Sequence, residues 1–405
     1  MNLSRNQLII IGAVLAVIII VVVIISGFGR RSTQEKAELV FWGIDDQSAF
    51  VEGFADFQSA NRGITIDYKK IPEADYEQAL VDALAAGNGP DVFMFRSSWL
   101  GKHGNKVAPF TEEYMTPSRF ADLYPQVAEE DFISSDKIYS IPLYIDTLAL
   151  YYDRDAFDKK GVALPPKTWT ELEKMVSLKG VTAALGGYAP LLENAPDIML
   201  ALLFQSGADL NVETKSFIQL SSIPGETALS TFLRFKAPKE DAISGFAGGR
   251  INILLGYYSS RSLLKAKNPF LNFGVSPLPQ LDPNSPVVVA DYYGLSVSSK
   301  SANKGAAMNL ASFLTSDSTA ADKYARGANR PPALRSLIER YSDHNEFGVF
   351  VKQALIARSW KSPDISQSNS ILNEMIKSVL KGSTKENALL KAESDINRLL
   401  YTTNK

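Results

Sequence analysis

The chain has 405 residues, enough for two domains, and 45% of them are hydrophobic against 21% charged, the balance of a globular protein. A net charge of −2 leaves no basic footprint for nucleic acid or another polyanion. With no cysteine, disulfides, thiolate metal sites and a cysteine nucleophile are excluded.

The chain opens on an apolar run from Leu8 to Ile25, interrupted only by Gly12 and uncharged, which Ser26 to Phe28 extend. About 20 apolar residues cross a bilayer core. The apolar part of a cleaved signal peptide is shorter, about 7–15 residues, and leads to a small-x-small site. Residues 1–29 therefore read as a transmembrane signal anchor and 30–37 as a polar linker. Arg5 lies on one side of the span and Arg30, Arg31 and Lys36 on the other, so charge bias alone sets the large domain inside.

Leu39 to Trp42 reads as a buried strand ending at Gly43, with Asp45 and Asp46 just past its C-terminal end, where ligands gather in open α/β sheets. Ala49–Asn61 reads as a helix, with Phe50, Phe54 and Phe57 at helical spacing as core. Ile64–Lys70 is a second strand, and Asp75–Ala86 a helix with Tyr76, Leu80 and Leu84 on one stripe. Pro90 to Phe95 gives a third strand, followed by Arg96, Ser97, Ser98 and Trp99. This alternation argues for a mostly parallel sheet with helices on both faces.

Leu143 to Tyr152 is almost wholly apolar, aromatic or β-branched and reads as one strand buried on both faces. Asp146 interrupts it and must face a cleft or be hydrogen-bonded, because an unpaired buried carboxylate is costly. Asp153 to Gly161 reads as a short helix closed by glycine. Thr168 with Glu171 three residues on has the form of a capping box.

Ile141-Pro142, Asp146-Thr147-Leu148, Leu150-Tyr151-Tyr152, Phe157 and Pro166-Lys167-Thr168-Trp169 together resemble the first interdomain crossover of the bacterial extracellular solute-binding proteins, family 1, the maltose-binding-protein-like sugar binders of ABC transporters. The resemblance runs from about Glu38 to Leu400. It continues in the Pro90-Asp91 strand, Gln205-Ser206-Gly207-Ala208, Phe246 to Ile253, Asn272 to Pro279, the helix Asn303–Leu314, the Arg330-Pro331-Pro332 turn and two closing helices around Gly382. It implies an α/β, two-lobed periplasmic-binding-protein-like fold with three interdomain crossings, preceded here by the transmembrane helix. The N-lobe would be 38–146 plus 291–328, and the C-lobe 147–290 plus 329–405.

By resemblance, Arg96, Ser98 and Trp99 stand where members place ligand contacts, and Tyr188 lies in a segment lining the cleft from the second domain. Tyr258 stands near a family tryptophan that stacks on sugar; tyrosine keeps the flat face and adds a hydroxyl. Asp291 and Tyr292 fall where members often carry a glycine pair at the cleft. With Asp45, Asp46 and Asp146 these form the candidate ligand set. The implied protein is an extracytoplasmic monomer that captures a small solute, an oligosaccharide above all, by hinge closure. It would deliver that solute to ABC importer subunits, with no cofactor and no bond broken. The membrane helix takes the place of the lipid-bearing cysteine this chain lacks.

Two rivals remain at this level. One is a ferric-ion binder of the same fold, using Tyr292 and Tyr293 beside Asp291 as hard oxygen ligands. The other is a glycoside hydrolase with a carboxylate pair. Against an enzyme, His103 and His344 are the only histidines and sit in no catalytic motif, and the HExxH, GxSxG and P-loop patterns are absent.

Overall fold

Short helices alternating with apolar strands build a parallel sheet at the start of the folded chain. In the computed structural model, which describes residues 36–179, 183–184, 195–210, 217–235 and 241–403, β1 (Ala37–Gly43) runs parallel to both β2 (Ile64–Lys70) and β3 (Val92–Arg96). The helix Val51–Ala60 buries Phe54 and Phe57, and Phe50 just before it stacks on Phe54 with ring centroids 5.5 Å apart. The helix Glu73–Ala86 buries Tyr76, Leu80 and Leu84 and stops at Gly87, whose φ of 81° is a left-handed cap that glycine adopts without strain. Beyond these lie β4 (Val107–Ala108) and the hairpin β5 (Ile133–Ser134) with β6 (Lys137–Ile138).

The apolar run expected as one strand over Leu143–Tyr152 is instead divided between two strands, and a third precedes them. β7 (Ile141–Pro142), β8 (Asp146–Thr147) and β9 (Ala149–Asp153) follow one another in sequence. They are joined later by β10 (Ala183–Ala184), β11 (Ile253–Gly256), β12 (Phe273–Ser276), β13 (Val288–Asp291), β14 (Tyr293–Ser298) and β15 (Ala357–Arg358). One sheet has the order β2-β1-β3-β14-β4, with β7 also paired to β14; a second is β10-β11-β9-β12; a third, small sheet is β15-β13-β8. Thus β7, β8 and β9 each serve a different sheet. Apolar density reports burial, which all three share, and says nothing about which partner each strand takes.

The two large sheets are the centres of two α/β lobes, and the small sheet lies where the chain passes between them. It passes first through β7, β8 and β9, and back through β12, β13 and β14. The third pass, Arg330 to Pro332, lies against the first: Ile145 N donates to Pro331 O at 3.1 Å, and Tyr144 bridges Pro332. The helix Lys304–Ser316 packs on β14, and Ser318–Ala328 packs on Val51–Ala60. On the other lobe, Ala195–Gln205 packs against β13 and the helix Ile365–Leu380, which pairs with Lys385–Thr403. Residues 1–29, expected as the membrane anchor, lie outside the described residues; among those described, no helix is long and apolar enough to cross a membrane.

Candidate functional site

The polar groups of the molecule converge where the passes meet. In the small sheet Asp146 of β8 and Asp291 of β13 stand directly opposite each other in antiparallel register. Their carboxylates reach in different directions. Asp146 is 3% exposed and accepts the backbone N–H groups of Tyr258 at 2.7 Å and Ser259 at 3.2 Å, in the loop after β11. Burial pushes its carboxyl up to about 7, against the pull of those two donors. Asp291 takes Arg96, at the end of β3, in a two-pronged pair: Nε donates to Oδ1 at 2.7 Å and Nη2 to Oδ2. The Asp291 charge raises the Arg96 guanidinium further above its ordinary value. Such fork-to-fork pairing fixes the plane as well as the position of both groups.

A second pair closes the other side. Asp45, past the end of β1, accepts from Arg330 Nη2 at 2.9 Å and from the Tyr324 hydroxyl at 2.6 Å, while its own carbonyl accepts the Tyr68 hydroxyl at 2.5 Å. The Arg330 guanidinium lies over the Tyr144 ring, 4.7 Å from its centroid. The Asp45 and Arg330 side chains are 10% and 16% exposed, so the pair is nearly desolvated.

Three groups were not anticipated, or only in part. Asp197, in the first turn of Ala195–Gln205, is half-buried; burial pushes its carboxyl up to about 7, Asp291 reinforces this and Arg96 opposes it. Tyr257 is 8% exposed, and its hydroxyl lies beside Asp197 with no hydrogen-bond partner in good geometry. Ser98 Oγ is likewise shut from solvent and unpartnered. A lone carboxylate in an otherwise apolar helix was the available signal for Asp197, and it was masked by the ordinary preference of acids for helix N-termini.

Other candidates fall elsewhere. Asp46 is exposed and pairs with Lys70 at 2.7 Å. Trp99, Tyr258 and Tyr292, expected as ligand contacts, present no open ring face. Trp99, 4% exposed, is packed among Tyr76, Phe95, His103 and Tyr293. Tyr258, 1% exposed, lies against Phe347 and Phe350 and donates to Asn329 Oδ1 at 2.6 Å. Tyr292 is fully buried and donates to Asp131 Oδ2 at 2.6 Å. An aromatic residue beside a strand end has enough area to stabilise the core, and here that burial wins. Tyr293 donates to Glu73 at 3.3 Å, so the Tyr292 and Tyr293 hydroxyls bind different carboxylates and do not converge as iron ligands. Among the described residues no group of three or more histidine, aspartate or glutamate side chains is placed to hold a metal ion. Tyr188 lies outside the described residues.

Comparison with known proteins bears on this geometry. The family profile described as bacterial extracellular solute-binding protein matches residues 53–347. A curated binding protein of Brucella abortus (strain 2308) is 24% identical over 281 residues, 64% of this chain and 66% of that protein. The chain thus spans just under two thirds of that relative's length. The galactooligosaccharide-binding protein of Bacillus subtilis (strain 168) is 22% identical over 336 residues, 76% of this chain and 75% of that protein. Among solved structures, the cyclic alpha-maltosyl-1,6-maltose binding protein of Arthrobacter globiformis superposes with a TM-score of 0.78 at 16% identity, covering 91% of this chain and 100% of that one. A sugar-binding protein of Xanthomonas citri gives 0.77 at 21% identity, covering 91% and 98%. At these identities the structural likeness establishes the shared two-lobed fold.

Proposed function

The chain belongs to the bacterial extracellular solute-binding protein family, and from this premise we propose that it captures a small solute, a carbohydrate, between its two lobes and presents it to an ABC importer. The lobes are 38–146 with 291–328, and 147–290 with 329–405. The observation that carries the reading is the facing pair Asp146 and Asp291, which ties one lobe's loop and the other lobe's strand end to the same point of the connecting sheet. Few backbone dihedrals then need to change for one lobe to swing against the other. A solute touching both lobes favours the closed form by its differential affinity, and no bond is broken. Ser98, Asp45, Arg96 and Asp291 supply donors and acceptors suited to hydroxyl groups. The sugar-binding relatives support the carbohydrate class, and the family supports an extracytoplasmic position. The apolar run Leu8–Ile25 supports a single membrane anchor.

The test is the melting temperature of the protein against a panel of oligosaccharides. A solute at ~100 times its Kd stabilises by about 2.7 kcal/mol. A shift confined to one sugar class fixes the function and the substrate together; protein that purifies without bound ligand and responds to none of the panel overturns the carbohydrate reading.

A further inference from the structure

The charges at the junction do not balance. The described residues there include two cations, Arg96 and Arg330, and each is already committed to its own carboxylate, Asp291 and Asp45. Asp146 is satisfied by two backbone N–H groups. Asp197 has neither: among the described residues it takes part in no ion pair, and the one donor beside it is the Tyr257 hydroxyl, which lowers its carboxyl without reaching good hydrogen-bond geometry, while Asp291 shares its surroundings. The sequence offers it no local cation, since no lysine or arginine occurs between Lys179 and Lys215. Beside it stands the Tyr257 hydroxyl, more than nine-tenths buried and unpartnered. A buried hydroxyl left without a partner costs free energy, so its retention points to a group that arrives with the ligand.

Resting on the carbohydrate reading above, we propose that the solute is an amino sugar, or a glycoside bearing one, whose protonated amine seats on Asp197 and donates a further hydrogen bond to the Tyr257 oxygen. An ammonium carries three donors and no acceptor, which matches one carboxylate plus one phenolic oxygen. It also compensates a carboxylate that closure would otherwise strand in a low dielectric. The raised pKa of Asp197 is what an uncompensated carboxylate in such a place would show.

The experiment measures binding of the full chain to matched gluco-, galacto- and manno-configured saccharides. Each is offered with a hydroxyl, a free amine or an N-acetylated amine at C2, alongside neutral maltooligosaccharides and galactooligosaccharides. The expected result is a preference of roughly tenfold to a hundredfold for the free amine over its hydroxyl and N-acetyl forms, the range for a hydrogen bond to a charged group. Asp197→Asn should erase that preference, so that the free amine binds no better than its hydroxyl parent. Equal binding of all three forms overturns the inference, as does a response only to the neutral oligosaccharides, and both leave carbohydrate capture standing. An Asp197→Asn variant that weakens amine and hydroxyl forms alike overturns it too, since the carboxylate would then serve as a plain hydroxyl acceptor. Binding of nothing in either panel overturns the carbohydrate reading itself.

Discussion

Asp45 and Asp46 are neighbours in sequence and opposites in energetics. Asp45 is nearly enclosed with Arg330 and Tyr324, whereas the Asp46 side chain is 76% exposed beside Lys70. Removing one partner of a buried pair strands the other charge, so Asp45→Ala should cost about 3–5 kcal/mol in urea unfolding. Asp46→Ala should cost less than about 1 kcal/mol, as solvent-exposed pairs do. Equal effects of the two would mean that the Arg330 guanidinium finds water when Asp45 is lost. Burial also sets a pH dependence. The carboxyls of Asp131, Asp146 and Asp197 are each pushed up from 3.8 to about 7. Between those values the native state holds more protons than the unfolded chain. Their stabilising contribution is therefore complete below about pH 4 and is lost as pH rises towards 7. Glu77 works the other way: its hydrogen bond to His103 lowers it from 4.5 to about 2, so its contribution is present above 4.5 and lost towards 2. The melting temperature should fall between about pH 4 and pH 7, and Asp131→Asn should flatten that fall. A flat profile in the unsubstituted protein would contradict the burial of these carboxyls.

Among the elements, those specified by short-range chemistry were legible and those specified by partner choice were not. The capping box forms as its spacing requires: Glu171 N donates to Thr168 Oγ1 at 3.1 Å, and Glu171 Oε2 accepts from Thr168 N at 3.3 Å and Lys167 N at 2.7 Å. Thr168→Ala should cost about 1 kcal/mol, seen as a lower urea midpoint with an unchanged slope; an unchanged midpoint would show that packing alone holds the helix Trp169–Lys179. The helix closed by Gly161 and the pair around Gly382 follow from the same kind of local signal, with φ values of 62° and 105° at the two glycines. The Leu143–Tyr152 run failed as a single strand because its pairing is decided by residues far along the chain, such as Thr147 against Ala290 and Leu150 against Leu255 and Ser276. For the site, Arg96 and Asp291 were both singled out in the sequence, yet their mutual bond joins positions 195 residues apart, beyond any local pattern. Trp99 was singled out for its place past a strand end and Tyr258 for its flat face, and both rings are packed in the core.

At the scale of the molecule, the chain passes between the two large sheets beside the small sheet β15-β13-β8. Small-angle scattering should show a smaller radius of gyration when a saturating saccharide is added, because the lobes approach while each keeps its own core. A radius that stays constant while binding is demonstrated by calorimetry would indicate a site formed without lobe movement. The facing residues Asp146 and Asp291 add a further consequence. One is fastened to the Tyr258–Ser259 backbone and the other to Arg96, so the axis of any swing passes close to the floor of the cleft. Displacement grows with distance from a fulcrum. A sugar unit seated at the floor would meet nearly the same surface whether the jaws are apart or together, while units towards the rim would meet walls that travel. Such a protein would read the innermost unit strictly, as a fixed template does, and tolerate variety in whatever extends outward from it.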